Sequence, residues 1–385
     1  MKIFFDARYI RTDFHDGISR YTTELSKALA ALTPVTFLIS DRAQLNFLPP
    51  HAKHILLHGV TSAREPFTAL ILNKYRPDVV VSPLQSMGSI ERKYKLILNQ
   101  QDMTYYKLPT PPQYLPFHIR ALWRLYHQYH WPGRLVLNRA DAIATVSETS
   151  KQEILAARLT KRPIIVVPNS AEDLSQFLKK PVIQTKTPPK NLIYMGAFLP
   201  HKNVETLIKM MDYLPDKTLH LLSRISPRKK HQLQKIASPH ARIVFHSGVT
   251  DEQYAHILAN DAIMVSASKA EGFGLPLIEA MKLGVPAIVT DMPIFHEVGD
   301  GGALYADPDS PKEFADKIRE LDALDLRKRL VENGTKHAAT FSWNHSAKTL
   351  LRANHNFCIY PLYFSLADLC TDFFTSHYTC NIIFL

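Results

Sequence analysis

The sequence predicts an α/β chain: two Rossmann-like domains, each built on a parallel sheet, facing each other across a central cleft. Three observations lead there. Short runs rich in Val, Ile, Leu and Phe recur between helical stretches, which is the pattern of βαβ units. The 385 residues suit two domains that each bury a core of ordinary size. The stretch from Lys179 to Lys190 is basic, proline-rich and aperiodic, so it reads as a linker between two sets of runs. The expected division is residues 1–175, residues 190–352, and a tail at 353–385.

In the first set the runs are Lys2 to Ala7, Val35 to Ser40, His54 to His58, Val79 to Leu84, Leu96 to Asn99, Ala142 to Ser147 and Ile164 to Pro168. In the second they are Leu192 to Gly196, Leu219 to Ser223, Ile243 to Gly248, Ala262 to Ser268, Ala287 to Asp291 and Ala303 to Ala306. Near-continuous apolar runs suit strands buried on both faces of a parallel sheet. Two such domains place a ligand outside the carboxyl ends of their strands, in the cleft.

The chain carries 46 Lys and Arg against 35 acidic residues, a net charge of +11. The excess sits in the first half, where residues 1–175 hold 22 basic and 14 acidic side chains. A basic face can attract anionic lipid, nucleic acid or a phosphorylated acceptor. The spread of the charge and the absence of zinc-finger spacing argue against nucleic acid. The N-terminus goes straight into a strand with too short an apolar run for a signal peptide, and no run of about 18 apolar residues occurs, so the expected location is cytoplasmic, with peripheral contact at the inner face of the plasma membrane left open. All three cysteines, Cys358, Cys370 and Cys380, fall in the tail, which implies neither a disulfide framework nor a metal cluster. That tail has no Lys or Arg from Asn354 onward and shows no clean period; it reads as a divergent or frame-shifted extension, or as a membrane-docking segment.

The most informative stretch is Glu271-Gly272-Phe273-Gly274-Leu275-Pro276-Leu277-Ile278-Glu279. It follows the apolar run Ala262 to Ser268 and leads into a helical pattern from Leu275 to Leu283. A glycine-rich strand-to-helix turn offers free backbone N–H groups and the positive end of a helix dipole, which suits phosphate. Carboxylates accept hydrogen bonds from hydroxyls, so Glu271 before the turn and Glu279 within the helix suit a polyhydroxylated ligand that also carries phosphate, a nucleotide sugar. A Gly-x-Gly turn alone is also ordinary packing chemistry.

Lys202, at the end of Gly196-Ala197-Phe198-Leu199-Pro200-His201-Lys202-Asn203, stands where a helix begins and can neutralise a departing diphosphate. Arg224, after the next strand, is the candidate for a second cation, or is a surface arginine. Gly17, in Asp16-Gly17-Ile18-Ser19-Arg20-Tyr21, allows a close backbone approach to ligand at the first strand-to-helix turn, or is a plain turn glycine. Thr145 to Lys151 reads at least as well as a helix cap as a catalytic element. Asp307-Pro308-Asp309 could be mistaken for a metal motif, but Ser310-Pro311-Lys312-Glu313 directly after it reads as a capping box, so no metal is expected. Pro109 to Arg134 is basic and aromatic; such a segment lies on an anionic membrane or, more often, packs its aromatic stripe into the core.

The nine-residue Glu271–Glu279 pattern resembles the paired-glutamate motif of retaining glycosyltransferases of family 4, and the likeness extends over about residues 1 to 352. It includes the glycine-to-lysine segment ending at Lys202, the Gly-Ile-x-Arg-Tyr element at Gly17, and Phe341-Ser342-Trp343. The resemblance implies a GT-B fold and transfer of a hexose without a metal or other cofactor. Its subgroup of bacterial GDP-mannose-dependent mannosyltransferases shares the absence of an arginine after the glycine, where Ala197 stands here. In that picture Glu271 holds donor-sugar hydroxyls, Lys202 and the amides of Gly272, Phe273, Gly274 and Leu275 hold the diphosphate, and Glu279 holds the ribose. The partners implied are a nucleotide-sugar donor, expected to be GDP-mannose, and a glycan or lipid-linked acceptor.

One departure stands out. Relatives commonly carry His-Asp where this chain has Gln101-Asp102, and a glutamine cannot titrate, so any general-base role passes to another group such as His15 or to the leaving phosphate. Three readings compete with a GDP-mannose enzyme: a transferase using a UDP-sugar, a nucleotide-sugar epimerase that needs no acceptor, and a degenerate binder that kept the pocket and lost the chemistry.

Overall fold

The structure, a computed structural model, describes residues 1–13, 16–111 and 117–357. All thirteen apolar runs form strands, offset by at most three residues at their ends. The first sheet contains β1 (Ile3–Asp6), β2 (Val35–Ile39), β3 (Lys53–Leu56), β4 (Val79–Ser82), β5 (Lys95–Asn99), β6 (Ala142–Thr145) and β7 (Ile164–Val166). The second contains β8 (Asn191–Tyr194), β9 (Thr218–Leu221), β10 (Ile243–Phe245), β11 (Ala262–Ser266), β12 (Ala287–Thr290) and β13 (Leu304–Ala306). Every pairing in both sheets is parallel.

The strand orders are β3-β2-β1-β4-β5-β6-β7 and β10-β9-β8-β11-β12-β13. In each sheet the winding direction reverses once, between β1 and β4 and between β8 and β11. Loops leaving the carboxyl ends of the two strands at such a reversal diverge and open a crevice. The central strands are apolar on both faces, as β4, β6 and β12 illustrate, because helices cover both sides of each sheet.

The stretch 179–190 forms neither helix nor strand. It is nonetheless held in place: the fully buried Arg327 guanidinium donates to the carbonyls of Thr185 and Thr187, and the Gln184 side chain donates to the Gly284 carbonyl. The last helix, Trp343–Phe357, packs on Gly17–Leu32, the first helix of the N-terminal half, rather than on its sequence neighbours. Tyr21 meets Trp343 edge-on at 5.8 Å, the Ser346 hydroxyl donates to the Pro168 carbonyl at 2.6 Å, and Ser170 donates to the Phe341 carbonyl at 2.8 Å. The chain therefore crosses between the halves twice. His15, considered above as a base, and the tail from residue 358 lie outside the described residues. Among the described residues no helix is long and apolar enough to cross a membrane.

Candidate active site between the two sheets

The paired-glutamate segment leaves β11 at the reversal point of the second sheet, and Lys202 comes from the loop leaving β8 on the other side of that point. The Lys202 ammonium lies 2.6 Å from Glu271 Oε1, with both side chains largely buried. A backbone bond from Lys269 N–H to the His201 carbonyl, 2.7 Å, stitches the two loops together. Asn203 turns the chain sharply out of the lysine loop in the left-handed region (φ +50°) and donates to the Pro308 carbonyl at 2.7 Å.

Two glycines of the segment are required by their surroundings. At Gly274 φ is +88°, and a Cβ would stand 2.7 Å from the Phe295 ring. At Gly272 a Cβ would stand 2.2 Å from Asp102 Oδ2, a carboxylate of the opposite half. Phe273 turns into the core and meets Phe341 edge-on at 5.5 Å, so only its main chain is available to a ligand. Helix Leu275–Leu283 then begins with Pro276 in its first turn and with no side chain capping its N-terminus. The N–H groups of a first turn have no intrahelical acceptor, so this end is prepared for an anion beside the Lys202 ammonium.

One turn into that helix, Glu279 is 6% exposed. Burial drives its carboxyl up to about 7; Arg20 opposes the shift, while Asp251 and Glu172 add to it. These groups, with Thr23, Leu275 and Trp343, line a cavity of about 200 Å³ between the halves. Arg20 comes from helix Gly17–Leu32 and bonds Asp251 Oδ1 at 2.5 Å. Gly17 opens that helix, capped by the Asp16 side chain accepting from Ser19 N–H at 2.9 Å, and a Cβ at Gly17 would meet nothing within 4 Å.

The structure places the remaining candidates as follows. Gln101, at the end of β5, donates through its side chain to the Pro83 carbonyl at 3.3 Å, while its own carbonyl accepts from Thr145 Oγ1 at 3.1 Å. Its neighbour Asp102 is the residue that touches the Gly272 wall; burial raises its carboxyl above the usual range, with Glu271 adding to the effect. Arg224 is exposed and passes its stem over Gly248, where a Cβ would come within 3.0 Å of it. Ser147 caps helix Glu148–Ala156 through Ser150 N–H, and its hydroxyl also donates to the Gly272 carbonyl at 3.2 Å. Ser310 caps helix Pro311–Glu320, Asp309 pairs with Lys269, and no cluster of three or more His, Cys, Asp or Glu suited to a metal occurs among the described residues.

Sequence reasoning did not single out Asp102, Asp251 or Glu172, and it mentioned Arg20 only as part of the Gly17 element. Each acts across the cleft from a different half or a distant helix, and no local pattern marks such a partner. The aromatic segment departs from its favoured reading. Trp123 and His127 pack inward, yet Phe117, Leu122, Leu125 and Trp131 are exposed.

Comparison with known proteins agrees with this architecture. The family model for glycosyltransferase family 4 matches residues 15–172, and that for group 1 glycosyl transferases matches residues 175–337. The O-antigen chain mannosyltransferase RfbU of Salmonella typhimurium is 29% identical over 50% of this chain, a match that spans 54% of that protein. O-antigen chain mannosyltransferase B of Escherichia coli is 25% identical across 92% of this chain and 99% of its own length. The structure of sucrose-phosphate synthase from Thermosynechococcus elongatus superposes with a TM-score of 0.69 at 18% identity, covering 92% of this chain and 98% of that one, and so shares the GT-B fold. The two adjacent family matches run from residue 15 to residue 337, one on each side of the cleft, and with them the chain belongs to the group 1 glycosyltransferases.

Proposed function

We propose that this chain moves mannose from GDP-mannose onto a glycan or lipid-linked acceptor in cell-envelope polysaccharide or glycolipid synthesis, retaining the anomeric configuration. The observation that carries the reading is the Lys202–Glu271 pair set beside an uncapped helix N-terminus. The bond between the anomeric carbon and the diphosphate oxygen breaks, and its electron pair goes to the diphosphate. Lys202 and the amides from Gly272 to Leu275 stabilise that charge, preorganised where it develops. The acceptor oxygen bonds to the same face of the sugar, and its proton passes to the leaving phosphate, so a non-titrating Gln101 is tolerated. Glu271 accepts from the sugar hydroxyls and Glu279 from the ribose hydroxyls. Lys202 and the helix dipole supply the positive charge at the diphosphate, so transfer runs without a metal. Mannosyl transfer is supported by the two O-antigen mannosyltransferases described above, and GDP as the nucleotide follows from the resemblance of the Glu271–Glu279 and Ala197–Lys202 segments to the GDP-mannose-dependent subgroup.

The test is a thermal-shift panel of GDP, UDP, ADP, GDP-mannose and UDP-glucose, followed by transfer assays with and without EDTA and NMR of the product anomer. A ligand at about 100 times its dissociation constant adds about 2.7 kcal/mol of stability. A shift with GDP and GDP-mannose, then EDTA-resistant transfer with retention, is expected. Preference for UDP replaces the donor, sugar interconversion without acceptor marks an epimerase, and binding with no turnover marks a degenerate binder.

A further inference from the structure

The crossover from β5 to β6 contains no Asp or Glu between Asp102 and Asp141, while it carries Lys107, Arg120, Arg124, Arg134 and Arg139. Its outer part is two consecutive helices, Phe117–Gln128 and His130–Leu137, packed on each other. The first is anchored by one face only. Trp123 meets Tyr105 edge-on at 4.9 Å, and His127 lies 5.1 Å from the Tyr106 ring.

The outer face is apolar where a surface helix is ordinarily polar. Phe117 is 83% exposed, Leu122 63% and Leu125 53%, and on the second helix Trp131 is 57% exposed. Leu122 and Leu125 stand three apart on the first helix and so share one face, and the exposed Tyr129 is the extended residue that joins it to the second helix. Arg124 stands exposed beside it.

We propose that the outward faces of these two helices dock the protein on the surface of an anionic phospholipid bilayer. Apolar side chains enter the acyl boundary, the tryptophan and tyrosine sit at headgroup level, and the Arg124 guanidinium stays among the phosphates. The complete lack of carboxylates over the crossover favours a negatively charged surface over a neutral apolar partner, since nothing in the segment repels it. The crossover leaves the sheet at Gln101 and Asp102, beside the Gly272 wall. The proposal does not depend on the donor or on turnover.

The experiment is sedimentation of the full-length protein with vesicles of phosphatidylcholine alone and of an equimolar mixture with phosphatidylglycerol. The wild type is expected to bind the mixed vesicles and to leave the neutral ones largely free. L122S/L125S should lower the partition coefficient about tenfold or more, since each lost apolar chain removes several buried carbons. Arg124→Gln should lower it about fivefold at low salt and change little at high salt. Unaltered circular dichroism and unfolding midpoint of the variants show that the fold is kept. Three results overturn the proposal: no vesicle binding by the wild type; equal binding by L122S/L125S, which moves the contact elsewhere; or a wild-type dimer by light scattering that the leucine variant splits, which assigns the face to a second copy of the chain.

Discussion

Arg20 and Asp251 meet across the cleft, guanidinium Nη2 to carboxylate Oδ1 at 2.5 Å, although 231 positions separate them in the chain. Arg20 also lies 3.6 Å from Glu172 and lowers the Glu279 carboxyl, so one cation holds three acids from both halves. The Arg20 and Asp251 side chains are each about one-third exposed, 32% and 37%, which limits the pair itself to about 0.2–1 kcal/mol. Its larger effect falls on Glu279.

That effect is testable by pH. The Glu279 carboxyl rises from 4.5 to about 7, so between those values the folded protein holds a proton that the unfolded chain has released. Stability from this group therefore falls as pH rises through that window and is flat above it. If Glu279 holds the ribose hydroxyls as proposed, it does so as the carboxylate, and GDP affinity should rise about tenfold from about pH 6 to about pH 8. Calorimetric titrations of wild type and Glu279→Gln across that range check this; the variant should bind weakly with no such rise.

Arg20→Gln should shift the same profile further up, because the group that favours the Glu279 carboxylate is gone. A GDP-binding midpoint unchanged from wild type would show that Arg20 does not govern Glu279.

Loss of either member of the Lys202–Glu271 pair should cost turnover about 10²–10³-fold, the range for removing one preorganised group from a charge-stabilising site. The two variants should differ in kind. Lys202→Met should weaken binding of free GDP, whereas Glu271→Gln should leave GDP binding near wild type and lower kcat. Isothermal titration beside steady-state kinetics separates the two.

Gly272→Ala puts a methyl group 2.2 Å from Asp102 Oδ2 and must push the halves apart locally. Activity should fall at least about tenfold, and the further change Asp102→Gly should recover part of it, a coupling that a double-mutant cycle measures directly. Gly274→Ala has no such rescue. Its φ of +88° strains any L side chain, with a cost of about 1–2 kcal/mol before the Phe295 contact is counted, visible as a lowered unfolding midpoint.

Why some of this was legible in the chain and some not follows from the range of the forces involved. The strands were readable because a parallel sheet buries both faces, which leaves runs such as Val79-Val80-Val81 with no polar side chain. The Gly272–Leu275 turn was readable because Gly274 answers to a local backbone need, its φ of +88°, although Gly272 answers to Asp102 of the other half. Asp102 was not, since its importance lies in a neighbour from the other half. For the helix Trp343–Phe357 only its entry, Phe341-Ser342-Trp343, was marked in the sequence, and nothing local shows that it packs against the first helix. Period equally failed to show that Leu122 and Leu125 face outward, because a stripe bound for the core and one bound for an interface share the same spacing.

The double crossing between the halves, with Ser170 bonded to the Phe341 carbonyl and Ser346 to the Pro168 carbonyl, lays two lengths of backbone side by side where the halves join. Two adjacent attachments behave like the two leaves of a door hinge: they permit a swing about the line through them and resist sliding and twisting. After a cut in the 179–190 stretch alone, the two sides would still be held together by the packing of helix Trp343–Phe357 on the first half. A relative movement of the halves would in this way be guided along a single arc, on which Lys202 and Gly272 keep their register with Asp102.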